Sequence, residues 1–449
     1  MNLHKLLTQR AANDNPVRIG LIGCGKFGTM FLTQALQTKG LHVVGIADLN
    51  TERAQHNLST AGWDRSRFDA KSLDAAFQSG TTYVGDDAAA LIAYERLDVI
   101  IEATGIPRAG IEHCRRAIHA GHHVVMVSVE ADVVAGPLLA REAAAAGVVY
   151  SLAWGDQPAL VCEHVDWARA CGFEVVCAGK GTRYHPDYHQ LTPDTVWDVL
   201  RQYLDIQDPQ SINLKMFNSF LDGSKSGIEM TAVCNATGLT PQPNGLGFPP
   251  SSRFDLANTC KPTTDGGQLE RRGTTEVVSS LNRDGSDVPH HLAMGTYVVI
   301  ASETDYAQRC MGEYHMLPDS SGRYGTLYRP IHMIGMELGI SVASVALRGE
   351  ATGAPIGFHA DVVAIAKRPL KSGEILDGEG GACVWGRQLP AASSLALGAL
   401  PLGLAGEVRV IRDIETGSVL TWDDVMLDEN DAAVRARREM EHAFAVPTH

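Results

Sequence analysis

The fold is decided by Val17-Arg18-Ile19-Gly20-Leu21-Ile22-Gly23-Cys24-Gly25-Lys26-Phe27-Gly28. A short apolar run enters a glycine-rich turn, and residues 29–39 continue as a helical pattern that Gly40 stops. That order predicts a strand, a tight turn and the start of a helix. Gly23 makes the turn, Gly25 lets the backbone approach a pyrophosphate, and Gly28 lets helix and strand pack closely. Lys26 and Phe27 complete the turn, where the N–H groups of a helix start face an anion. A second apolar run, residues 41–47, ends at Asp48, twenty residues after Gly28. An acidic residue at that distance holds an adenosine ribose. The plainer alternative is a glycine turn in some other α/β protein.

Outward from this turn, strand and helix patterns alternate up to about residue 156. Residues 98–105 form an apolar strand ending in a small-residue loop, 110–120 a helix, 122–129 a strand, 136–146 a helix and 148–153 a strand. Such alternation predicts an α/β fold with a doubly wound parallel sheet. Ligands of these sheets sit beyond the carboxyl ends of the strands. Thr104, Gly105, Ser128 and Glu130 lie at those ends and are candidates for the nicotinamide side, or they merely end strands. Asp48 favours a free ribose hydroxyl, yet Arg53 follows in the same loop, and an arginine there binds a 2′-phosphate. The residues themselves leave NAD and NADP open, and Arg53 also reads as a solvated helix residue.

The chain has 449 residues, more than one core accommodates, so two or three domains are expected. Its net charge of −14 and lack of a basic stripe argue against a nucleic-acid partner. Nine cysteines without a C-x-x-C pair predict reduced thiols. Residues 1–16 lack the apolar core of a signal peptide, and no apolar stretch is long enough to span a bilayer, so a cytoplasmic protein without membrane contact is expected.

The second half concentrates polar residues in two places. Residues 173–178 read as a strand, followed by a loop through residue 189 that holds Lys180, Arg183, Tyr184 and His185. A loop so rich in donors suits a ligand, against the alternative of a solvated connector. Residues 218–229 read as a turn feeding a helix at 228–236. Asn218 borders this turn, and Ser224 and Lys225 at its helix start suit a phosphate. Asp222 and Glu229 suit a divalent cation or proton transfer, while Glu229 also reads as a first-turn capping carboxylate. Residues 237–273 form a long loop with the makings of a lid. Residues 333–347 read as an apolar helix that packs back on the first domain. Near the end, residues 367–376 and 411–420 echo one another as strand, glycine turn, strand, in a β-rich module.

The glycine turn, the Gly179-Lys180-Gly181-Thr182 stretch and the turn from Asp222 to Glu229 resemble the homoserine-dehydrogenase-like oxidoreductases, and the closing echo resembles the SAF domain, a small β-clip fold. End to end, the chain is similar to the branch that contains the 1-deoxy-D-xylulose 5-phosphate reductoisomerase-like proteins of isoprenoid synthesis by the methylerythritol phosphate route. The resemblance implies a Rossmann domain at 1–165, an α+β catalytic domain at 166–348 and an SAF-like domain at 349–449. It implies a homo-oligomer and NADPH-dependent conversion of this phosphorylated sugar to 2-C-methyl-D-erythritol 4-phosphate, sensitive to fosmidomycin. The metal motif of the common reductoisomerases is absent from this sequence, and the roles in that chemistry are assigned from the clustering of the residues alone, with Mg or Mn on Asp222 and Glu229. Lys180, Asp222 and Glu229 are then catalytic. Arg183, Tyr184, His185, Asn218, Ser224 and Lys225 are substrate-binding. The sequence departs from the homoserine dehydrogenases at Val233, where they place a lysine, and at Ser128-Val129-Glu130, where many have Ala-Asn-Lys. The alternative is an NAD(P)-dependent dehydrogenase of a small hydroxy acid or sugar acid.

Overall fold

A computed structural model describes residues 2–203 and 212–444; the last residues of the expected C-terminal module, 445–449, lie outside this range. The chain divides into two compact units, Met1–Leu160 with Met333–Ile356 and Arg435–Ala443, and Val161–His332 with Gly357–Val434 and Phe444–His449. The expected C-terminal segment 349–449 is therefore distributed between them.

The first unit holds the strands β1 (Val17–Ile22), β2 (Leu41–Ala47), β3 (Tyr83–Gly85), β4 (Val99–Glu102), β5 (His123–Met126) and β6 (Tyr150–Leu152). They form one parallel sheet in the order β3-β2-β1-β4-β5-β6. The apolar runs of β1 and β4 are buried along nearly their whole length, as strands covered on both faces must be. Val17, Ile19 and Leu21 pack in one core with Phe31, Leu32, Val99, Ile101, Leu338 and Val342. The last two come from far along the chain, where the helix Gly339–Arg348 joins this unit. It begins later than its apolar pattern suggests, because Gly335 turns the chain at φ 72° just before it.

The second unit is built on the strands β7 (Glu174–Thr182), β8 (Thr274–Ser279), β9 (Thr296–Ala301) and β10 (Tyr324–Arg329), in the order β10-β9-β7-β8. On one face of this sheet, Ala178, Val277, Val298 and Ile300 pack with Val161 and Val165 of the helix Gln157–Ala170 and with Met230 and Val233 of the helix Ser224–Thr237. On the other, Cys177, Tyr297, Val299 and Tyr324 pack with Leu256 and Cys260. Both helical and strand boundaries differ here from the sequence reading. β7 runs on to Thr182, so the expected loop at 179–182 is strand. Its glycines mark close backbone approach: a Cβ on Gly179 would stand 1.8 Å from the Glu276 carbonyl oxygen, and one on Gly181 1.9 Å from that of Leu292.

The C-terminal part of this unit carries β11 (Ala360–Ala366) paired with β13 (Val384–Pro390), and β12 (Ile375–Asp377), β14 (Gly406–Val410) and β15 (Val425–Met426) in a second small sheet. The two echoing segments pair with each other: Leu370 and Ile414 exchange both backbone hydrogen bonds at 2.9 Å. Among the described residues all nine cysteines are free, and no helix is long and apolar enough to cross a membrane.

Candidate active site

The glycine turn of the first unit is formed as the residues require. Gly23 sits at φ 92°, and a Cβ there would meet the Ala103 carbonyl oxygen at 2.6 Å. A Cβ on Gly28 would stand 2.7 Å from the Gly23 oxygen, whereas one on Gly25 would meet nothing within 4 Å. Gly25 opens the helix Lys26–Ala35, which no side chain caps. An open glycine before uncapped helix N–H groups fits a pyrophosphate. Lys26 beside it is exposed.

Asp48 follows β2 and is buried at 7 % exposure. Its carboxylate accepts from the backbone N–H of Cys24 at 2.8 Å and of Asn50 at 2.9 Å, and Arg53 Nη2 donates to it at 3.0 Å. Arg53 lies in the first turn of the helix Thr51–Thr60, over half exposed. The two residues that leave the cofactor open are thus one ion pair.

Thr104, Gly105 and Ser128 come together at the ends of β4 and β5 around a residue that the sequence reading passed over, the fully buried Glu102. Glu130 is not at a strand end: β5 stops at Met126 and the helix Val129–Ala145 places Glu130 in its first turn.

In the second unit Lys180 projects from β7 on the face of Ala178, since side chains two apart share a face. Lys180 and Glu229 are 5 % and 3 % exposed, and the ammonium donates to the Glu229 carboxylate. Glu229 stands in the second turn of the helix Ser224–Thr237, which starts four residues earlier than expected. Lys180 pairs with Thr296 across β7 and β9, and His164 Nε2 contacts the Thr296 hydroxyl at 3.0 Å. Burial, aided by the Arg329 charge, pushes His164 down to about 4, so its imidazole is neutral near pH 7. A buried acid–base pair of this kind is equipped to hold a substrate oxygen and move its proton.

Asp222 does not share this pair. It is fully buried and bound to another lysine, Lys367, at 2.7 Å. Lys367 also donates to the carbonyls of Gly381 at 2.8 Å and Leu191 at 2.6 Å, which answers all three ammonium protons. Burial raises Asp222 against the opposing pull of Lys367. Its other oxygen accepts from Ser224 N at 2.8 Å, so the chain itself supplies an anion to this helix start. The Ser224 hydroxyl accepts from Gly386 N at 2.8 Å. Asn218 is buried too and donates to the carbonyls of Leu191 and Gly380.

His189 joins these groups to an aromatic stack. Its Nδ1 lies 2.6 Å from the Asp222 carbonyl oxygen and must donate to it, leaving Nε2 to accept from the Tyr184 hydroxyl at 2.8 Å. Its ring stacks on Trp385 at 3.8 Å, and Tyr184 stacks on Phe248 at 3.9 Å. Burial lowers His189 to about 4 and raises Tyr184 to about 12. Arg183 donates to Asp287 at 2.9 Å, and His185 caps the turn Pro186–Gln190. Lys225 is half-buried in the first turn of the helix Ser224–Thr237.

The carboxylates do not fit a divalent cation. Glu229 and Asp222 each face a separate lysine, and among the described residues no three His, Cys, Asp or Glu side chains gather as a metal site.

Two segments of the chain match family models. Residues 155–338 match the family model of the oxidoreductase DRL catalytic domain, and residues 17–127 that of the oxidoreductase family NAD-binding Rossmann fold. No curated protein matches the chain. Among solved structures it is similar to dihydrodipicolinate reductase from Paenisporosarcina sp., at 13 % identity over 75 % of this chain and 97 % of that one, with a TM-score of 0.34. It is also similar to scyllo-inositol dehydrogenase from Lactobacillus casei, at 12 % identity over 70 % of this chain and 76 % of that one, with a TM-score of 0.34. Both matched descriptions are of oxidoreductases: residues 17–127 are similar to an NAD-binding Rossmann module and residues 155–338 to a DRL-type catalytic module.

Proposed function

We propose that the protein is an NAD(P)-dependent dehydrogenase or reductase of a small hydroxylated carbonyl compound, a hydroxy acid or sugar acid. The observation that carries this reading is the buried Lys180–Glu229 pair within the segment that matches an oxidoreductase catalytic domain. The cofactor, when bound, supplies the hydride. Gly25 and the helix start behind it hold its pyrophosphate, and Asp48 with Arg53 meets its adenosine ribose. In the second unit the Lys180 ammonium holds the substrate oxygen as charge develops on it. Glu229 takes or returns that oxygen's proton. Arg183, Tyr184, His185 and Lys225 are proposed to line the substrate's approach. No step is routed through a metal, because Lys180 provides positive charge at that place.

The narrower reading is the NADPH-dependent reductoisomerase of 1-deoxy-D-xylulose 5-phosphate. Its support is the DRL match together with the resemblance carried by residues 179–182 and 222–229. One assay separates the two. NADPH oxidation with the sugar phosphate, blocked by fosmidomycin, selects the reductoisomerase. NAD(P) reduction with hydroxy acids, sugar acids or inositols, untouched by fosmidomycin, selects the dehydrogenase. A homo-oligomeric, cytoplasmic enzyme accompanies either reading.

A further inference from the structure

We propose that Glu102 is a positioning residue for the nicotinamide half of the cofactor, holding the ends of β4 and β5 in one arrangement. The proposal rests on the dinucleotide-binding reading of the first unit and adds to it a residue with no place in the glycine motif. A carboxylate removed from water is costly unless its oxygens are answered by hydrogen bonds. Glu102 is 0 % exposed, and its oxygens are answered from three sides. Oε1 accepts from Thr104 N at 3.2 Å and from the Thr104 hydroxyl at 2.5 Å, with His113 Nδ1 at 3.5 Å. Oε2 accepts from the Ser128 hydroxyl at 2.5 Å. With its proton directed to Glu102, the Ser128 oxygen is free to accept, and it takes the Gly105 N–H at 2.9 Å. Space is kept for the carboxylate as well. A Cβ on Gly110 would stand 3.0 Å from Oε2.

The acid therefore does what an apolar residue in its place could not. It sets the direction of two hydroxyls and, through Ser128, fixes a backbone N–H of the next loop. The tip of that loop is open to solvent: Gly105 is exposed and Ile106 is 53 % exposed. Ligands of a parallel sheet gather beyond such strand ends. A nicotinamide carboxamide needs fixed donors and acceptors there. The adenosine and pyrophosphate half meets instead Gly23, Gly25, Gly28 and Asp48, whose hydrogen bonds do not involve Glu102.

The test compares ligands with and without nicotinamide. Binding of NADPH, NADH and ADP-ribose is measured by calorimetry on the full chain and on Glu102→Gln. An amide in place of the carboxylate must donate toward one of the hydroxyls and turn its proton away, so the arrangement that aims the Ser128 oxygen at the Gly105 N–H, or the one that ties Thr104 to residue 102, is disturbed. We expect both reduced cofactors to weaken about tenfold or more, and ADP-ribose to change less than about twofold. An equal loss for all three ligands would make Glu102 a fold strut and overturn the proposal, as would unchanged NADPH and NADH binding. If Glu102→Gln does not fold, Ser128→Ala carries the same comparison with the same criteria. An unaltered chain that binds ADP-ribose, NADPH and NADH equally also overturns the proposal while leaving the dinucleotide site standing. One that binds none removes both.

Discussion

Consider Lys180→Met, which keeps the apolar stem of the side chain and removes its charge. Glu229, 3 % exposed, then stands in the second unit without its cation. Breaking a buried pair from one side costs on the order of 3–5 kcal/mol, because the remaining charge stays desolvated. The low end applies, about 3 kcal/mol, since Glu229 can take up a proton instead. Adding Glu229→Gln removes the stranded charge, and a neutral buried group that keeps its shape is far less costly. Glu229→Gln alone strands the Lys180 ammonium at a similar cost, about 3 kcal/mol, so a double variant within about 1–2 kcal/mol of the unaltered protein corresponds to a coupling of about 4–5 kcal/mol between the sites. The assay is a double-mutant cycle by chemical denaturation, with equal slopes in all four proteins as the condition for comparing midpoints. Single costs that simply add would refute the reasoning: the pair would then be a solvated contact rather than a desolvated one.

Lys367→Met should destabilise the second unit by about 3 kcal/mol or more near neutral pH, and thermal melts should show the loss shrinking in acid. Burial raises Asp222, so its protonated form is favoured in the fold, and the penalty of its charge develops as pH rises. Glu276 offers a second pH test. Burial pushes it to about 7 from 4.5, so the folded state holds a proton that the unfolded state has lost between those values, and stability falls as pH rises through that window. Glu276→Gln should remove that component of the slope, at most about 1.4 kcal/mol per pH unit; an unchanged profile would place the titration elsewhere. Arg53→Ala should raise the Michaelis constant for NADPH about tenfold, equivalent to about 1.4 kcal/mol, and barely change that for NADH. Equal loss with both cofactors would assign Arg53 to holding Asp48 and the loop.

The sequence carried the first unit well because its signals are local. The glycine spacing at 23, 25 and 28 and the apolar runs of β1, β2 and β4 each reflect contacts within a few residues or a repeated period. The active-site region of the second unit was harder, for two physical reasons. Gly179 and Gly181 read as loop residues, but their missing side chains make room for the Glu276 and Leu292 carbonyls beside β7. The partners of the candidate residues are distant in the chain: Lys367 lies 145 residues from Asp222, and His164 132 residues from Thr296. No spacing rule predicts such a pair. Glu102 was passed over for the opposite reason, as one acid at the end of an apolar strand looks like a terminator. Its two hydroxyl partners, Thr104 and Ser128, were singled out, and they are the signal from which it was recoverable.

The central claim is that Lys180 and Glu229 are the groups that act on the substrate. It is tested most directly by the turnover of Lys180→Met/Glu229→Gln, the variant in which the fold is restored and the chemistry is not. With stability and NADPH binding near those of the unaltered protein, kcat with the substrate that the assay identifies should fall by about a hundredfold or more. Turnover within about threefold of the unaltered protein would contradict the account.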